Sequence, residues 1–160
     1  MRSLDLSATG LQSSDLNYFF AAINDPQANI KLESLNLSNN LTVNDSVLKN
    51  VCNLFRSNPN VKQLILDNTK ITIHGLIEVL NAVKETKNVR TISVRNCNLN
   101  LVGEDGKTII KLLHDNISIT NLIFDDNNFD VEFVAELNEQ LELNRKIVKH
   151  VLSQLSEQEA

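Results

Sequence analysis

Tryptophan is missing, and aromatic residues make up only 4% of the chain, so any core must be built from aliphatic side chains. Two prolines and four glycines leave no flexible linker to divide it. The two cysteines, Cys52 and Cys97, are not in a CxxC arrangement. A disulfide framework is therefore not expected, and a reducing compartment is compatible. No apolar run reaches the length of a membrane span. The start, Met1-Arg2-Ser3-Leu4-Asp5, lacks the apolar stretch of a secretory signal, which leads us to expect a cytoplasmic protein. An excess of basic residues is also lacking: 15 Lys and Arg stand against 20 Asp and Glu. The net charge of −5 argues against nucleic acid and against an anionic membrane as partners. The densest basic group, Arg145, Lys146 and Lys149, sits beside Glu142 and Glu157 and reads as a solvated helix face.

What the sequence does have is 42% hydrophobic and 22% charged residues, a globular balance, and a repeat. The pattern is apolar, two residues, apolar, one residue, apolar, two residues, then Asn, Cys or Thr. It runs through Met1, Leu4, Leu6 and Thr9, then Leu32, Leu35, Leu37 and Asn40. It returns at Val61, Leu64, Leu66 and Thr69, at Val89, Ile92, Val94 and Cys97, and at Ile119, Leu122, Phe124 and Asn127. Starts at 1, 32, 61, 89 and 119 give spacings of 31, 29, 28 and 30. Apolar residues two apart, such as Leu64 and Leu66, share one face of a strand.

Helical signals fill the intervals. Thr72 precedes a helix over 73–84 with Leu76, Ile77, Leu80 and Val83 on one face. Asn44, Ser13 or Ser14, and Asp130 are candidate N-caps for three others. The fourth helix is weak at its start, where Gly103 and Gly106 sit. The polar position also has a physical cause. Where a strand turns toward its helix, backbone groups lose sheet partners, and a buried Asn can both donate and accept for them. Thr9, Asn40, Thr69, Cys97 and Asn127 are predicted to stack as a structural ladder.

The pattern resembles the leucine-rich repeat, and its length resembles the ribonuclease-inhibitor-like class, over residues 1 to about 146. The resemblance implies an α/β horseshoe, a right-handed β/α solenoid. Parallel strands would line its concave face and helices its convex face. We expect a single domain over 1–160, about five repeats and a C-terminal capping helix. That helix is placed at about 146–156, where Ile147, Val148, Val151, Leu152 and Leu155 recur at helical spacing. No cap precedes Met1, so self-association through an open N-terminal strand edge is a further expectation.

No catalytic constellation emerges. His74, His114 and His150 fall in different helices. Cys97 sits at a ladder position and Cys52 on an apolar helix face. Gly103 to Thr108 ends like a phosphate-binding loop, but its glycines are too close together and two acids intervene. Asp126, Asn128 and Asp130 alternate as in an EF-hand, without its glycine or terminal glutamate. No enzyme activity, cofactor or metal is expected.

Strand residues that point away from the core form columns across repeats: Asp5, Asn36, Ile65, Ser93 and Ile123, and then Ser7, Ser38, Asp67, Arg95 and Asp125. Apolar Ile65 and Ile123 stand beside Arg95 on an otherwise polar face, a composition suited to a binding hot spot. Asn36, Ile65, Asp67, Arg95, Ile123 and Asp125 are therefore the candidate partner-binding residues. The expected function is non-enzymatic protein–protein interaction through the concave face. Five repeats and a terminal helix look like the actin-capping arrangement of tropomodulins. A GTPase-activating repeat protein, or a bacterial effector that binds a host protein in the host cytosol, are the alternatives.

Overall fold

The computed structural model describes residues 2–158. The motif position assigned to Met1 lies outside the described residues. Five strands form one parallel sheet in chain order: β1 (Ser3–Asp5), β2 (Ser34–Asn36), β3 (Gln63–Ile65), β4 (Thr91–Ser93) and β5 (Asn121–Ile123). The register follows the repeat: Leu4, Leu35, Leu64, Ile92 and Leu122 stand opposite one another in succession. A helix follows each strand: α1 (Ser13–Ile23), α2 (Asp45–Ser57), α3 (Ile73–Lys84), α4 (Asp105–Asp115) and α5 (Val131–Gln158). Successive helices pack side by side over one face of the sheet. The chain is an α/β leucine-rich-repeat solenoid.

The three motif leucines explain this shape. They fill one continuous core with the apolar helix faces, and Leu32, Leu35, Leu37, Leu64 and Leu66 are fully buried. Each such side chain is worth about 1.5–3 kcal/mol of burial. The first interval is the longest because a 3-10 turn, Pro26–Ala28, lies between α1 and β2.

Most caps follow the sequence. Asn44 accepts from the backbone N–H groups of Ser46 and Val47, and Thr72 from that of Gly75. Asp130 accepts from Phe133. The first helix differs. Its N-cap is Gln12, held by Asp15, while the Ser13 hydroxyl donates to the carbonyl of Thr42 in the next repeat. The fourth begins at Asp105, earlier than its two glycines suggest. Gly103 takes a left-handed φ of 58° just before it, and Asp105 accepts from the Val102 N–H.

The expected separate capping helix over 146–156 is corrected. One unbroken helix runs Val131–Gln158. No Gly or Pro interrupts it, and Leu137, Leu141, Asn144, Val148 and Val151 follow one helical stripe. The core is closed by the first half, through Phe133, Leu137 and Leu141. Val151, Leu152 and Leu155 extend past it and are exposed.

Candidate functional site

At the exit of each strand, side chains tie one repeat to the next. Asn40 donates from Nδ2 to the carbonyls of Leu6 (2.8 Å) and Leu37 (3.1 Å), and its Oδ1 accepts from the Gly10 N–H. Asn127 repeats the arrangement, donating to Val94 and Phe124 (both 2.8 Å) and accepting from the Cys97 and Leu99 N–H groups. The Thr9 hydroxyl donates to the Leu6 carbonyl, and that of Thr69 to the Leu66 carbonyl. The Cys97 thiol also reaches Leu66, at 3.2 Å. An amide serves two repeats at once. A hydroxyl or thiol, with one hydrogen, does less.

A second set of polar groups, not foreseen from sequence, works at the strand entrance. Buried Asn58 accepts from the Leu32 N–H. Buried Asn116 donates to the Val83 carbonyl. Fully buried Asn144 donates to the carbonyls of Leu113 (3.0 Å) and Ile119 (2.9 Å). Each stands three residues before a repeat start or, for Asn144, before Ile147 in the same register. That offset was the available signal. A third row lies outside: Asn39, Asn68 and Asn96 all have positive φ, and their amides stack, Asn68 on Asn39 and Asn96 on Asn68. Asn tolerates this backbone better than other residues with a side chain.

On the outward strand face, Asn36 and Ile65 are half-buried, as is Ile123. Asn36 Oδ1 accepts from the backbone N–H and hydroxyl of Ser38. Hydrogen bonds from the Ser7 hydroxyl and then from the Ser7 backbone N–H hold the Asp5 carboxyl below its ordinary value. Asp67 Oδ1 accepts from the Ser93 hydroxyl (2.6 Å) and the Arg95 backbone N–H (2.9 Å). The Arg95 guanidinium turns instead to Asp125, 3.3 Å away. So, within this column, Arg95 pairs with Asp125, while Asp67 ties its repeat to Ser93 and Arg95 of the next. The polar groups largely satisfy one another, which leaves Ile65 and Ile123 as the uncommitted apolar surface beside Arg95.

Charge is also sorted across the sheet. Arg2, Glu33 and Lys62 form linked pairs at the strand entrances, with Arg90 next in the row. Asp5, Asp67, Asp125 and Asp126 mark the exits. Exposed pairs of this kind add only about 0–1 kcal/mol.

The remaining candidates lie apart. His74 is on α3, His150 on α5, and His114 on α4 meets Asp115 at 3.3 Å. Burial, helped by Glu78, pushes the Cys52 thiol up to about 11, so it is neutral at physiological pH. Lys107, in the phosphate-loop-like segment, pairs with Glu104, which raises its pKa. Asp130 caps α5, and Asn128 donates to Asn98. Among the described residues, no group of three or more His, Cys, Asp or Glu could hold a metal ion. No helix among them is long and apolar enough to cross a membrane.

No protein-family model matches the sequence, and no curated protein matches it either. Solved structures do match. The structure of leiomodin-1 actin-binding site 2 superposes with a TM-score of 0.85 at 18% identity. It covers 100% of this chain and 90% of that one. The tropomodulin C-terminal domain from Caenorhabditis elegans gives 0.80 at 17% identity, over 98% and 90%. The shared fold is thus end to end, with little shared sequence.

Proposed function

We propose that this chain is a non-enzymatic protein-binding domain that engages its partner through the strand face, and that actin is the first partner to test. The observation that carries the choice of actin is the end-to-end superposition on a domain named as an actin-binding site. The ribonuclease-inhibitor-like class rests on repeat length alone. The GTPase-activating and effector readings gain nothing further from the geometry. A cytoplasmic location belongs to the same proposal.

On the strand face, Ile65 and Ile123 serve as apolar anchors. Arg95 lies between them, oriented by Asp125, and Asn36 and Asp67 set the adjoining turns. The test is the elongation rate of actin filaments with the chain added, alongside co-sedimentation with filaments. Wild type is expected to bind and to slow elongation at one end. The variant combining Ile65→Ala, Arg95→Lys and Ile123→Ala should bind at least about tenfold more weakly, a change of about 1.4 kcal/mol, with an unchanged circular dichroism spectrum. No effect of wild type would remove actin. An undiminished effect of the triple variant would move the surface off the strands.

A further inference from the structure

Beyond the core, the last turns of α5 form one wall of an open groove of about 550 Å³. Val148, Val151, Leu152 and Leu155 line that wall, and Ile117 faces them from the turn after α4. The spacing of three and four residues is that of a single helix face. Val151, Leu152 and Leu155 are 47%, 60% and 52% exposed, although the solenoid core is already closed without them. These apolar groups are not consumed by folding.

The lip is basic. Lys87 and Arg90 stand at it, and among the described residues neither has a carboxylate within 4 Å. The Arg90 guanidinium donates to the Ser118 carbonyl, which fixes its position without neutralising it. The groove's acid, Asp115, is already engaged by Lys111 (2.7 Å), His114 (3.3 Å) and Lys84 (3.6 Å). An acidic protein therefore carries a locally positive, apolar-floored groove.

We propose that this groove docks an acidic amphipathic helix from a partner protein. An apolar stripe on the incoming helix would lie along Val148, Val151, Leu152 and Leu155, as helices pack on helices. Its acidic flank would meet Lys87 and Arg90. A second copy fits worse. The outer half of α5 that it would offer carries Arg145, Lys146 and Lys149 against Glu157 and Glu142, which already pairs with Arg145 and Lys146, so it brings no acidic excess to the basic lip. The groove lies at the end of the stack, off the outward strand face, so this inference does not rest on the actin reading.

The test uses the full chain and a fluorescent synthetic helix of about 18 residues, with leucines on one face and glutamates on the other. A lysine version serves as its counterpart. The glutamate peptide is expected to bind with a Kd on the order of 10–100 µM, and the lysine peptide at least about tenfold more weakly. Lys87→Glu combined with Arg90→Glu should reverse that preference. Lys87→Glu alone, at an exposed position, should weaken the glutamate peptide if the double variant folds poorly. Leu152→Asp with Leu155→Asp should weaken both peptides with unchanged helicity. Absence of binding, equal binding of the two peptides, or indifference to these variants would overturn the proposal. So would self-association abolished by Leu152→Asp, which assigns the groove to a second copy. Preferential binding to phosphatidylserine vesicles would overturn it in favour of a membrane surface.

Discussion

The two halves of α5 have the same periodicity and opposite fates. From Val131 to Asn144 the helix covers the last repeat, and Phe133, Leu137, Leu141 and Asn144 are buried. From Arg145 to Gln158 the same stripe continues through Val148, Val151 and Leu155, yet Val151 and Leu155 remain about half exposed. Periodicity says which side chains share a face. Whether anything covers that face depends on how far the neighbouring helix extends. Here α4 ends at Asp115, so it cannot follow α5 outward.

The largest expected effect lies in the inner half. Leu137→Ala should destabilise the chain by about 2–5 kcal/mol in urea titration, since it leaves a cavity in a closed core. Leu152→Ala should cost less than about 0.5 kcal/mol. Equal costs would mean that the outer half is folded into the core, and the comparison would fail. Next comes Asn144→Ala, expected to cost about 1–3 kcal/mol because the Leu113 and Ile119 carbonyls lose their donor. Asn40→Ala should fall in the same range for the same reason. A midpoint equal to wild type for either would show that water replaces the amide. Smaller still is truncation after Val148, which should cost less than about 1 kcal/mol and leave the remaining helix protected in hydrogen exchange. A larger loss would show that the overhang supports the core.

The smallest effect is electrostatic and marks where the halves meet. Hydrogen bonds from Lys111 and His114 lower the Asp115 carboxyl to about 2. A carboxyl depressed in the folded state stabilises it above the unfolded pKa of about 3.8, and that gain is lost as pH falls toward about 2. Comparing wild type with Asp115→Asn by thermal melting from pH 5 to about pH 2 should show the two curves converging in acid. Parallel curves would remove the assigned role of this carboxylate.

Strands and helices were legible because their signals are local. The repeat starts locate all five strands, and Thr72 with its apolar face marks α3 at both ends. Asn40 and Asn127 stand at an offset where a strand must turn, so their chemistry could be anticipated. Asn58, Asn116 and Asn144 could have been found by the same logic applied upstream of each repeat start. The end of the stack was harder. Ile147 keeps the repeat register, and its neighbours keep helical spacing, so the segment reads equally as a cap. Only the three-dimensional extent of α4 distinguishes a covered stripe from an uncovered one. On the strand face, a column such as Asp67, Arg95 and Asp125 shows adjacency but not which partner each charge selects. Asp67 chooses a serine hydroxyl and a backbone N–H because the turn brings them closer than the guanidinium.

The strand order equals the chain order, and this has a mechanical consequence. Every sheet contact joins a repeat only to the one before or after it. No distant segment must be found before growth can start, so folding can nucleate in any adjacent pair and spread outward. A load applied at the two ends acts on the repeat interfaces in series, so each carries the full tension. The molecule should yield one repeat at a time, like a stack of coins pulled apart, with α5 anchoring the last of them.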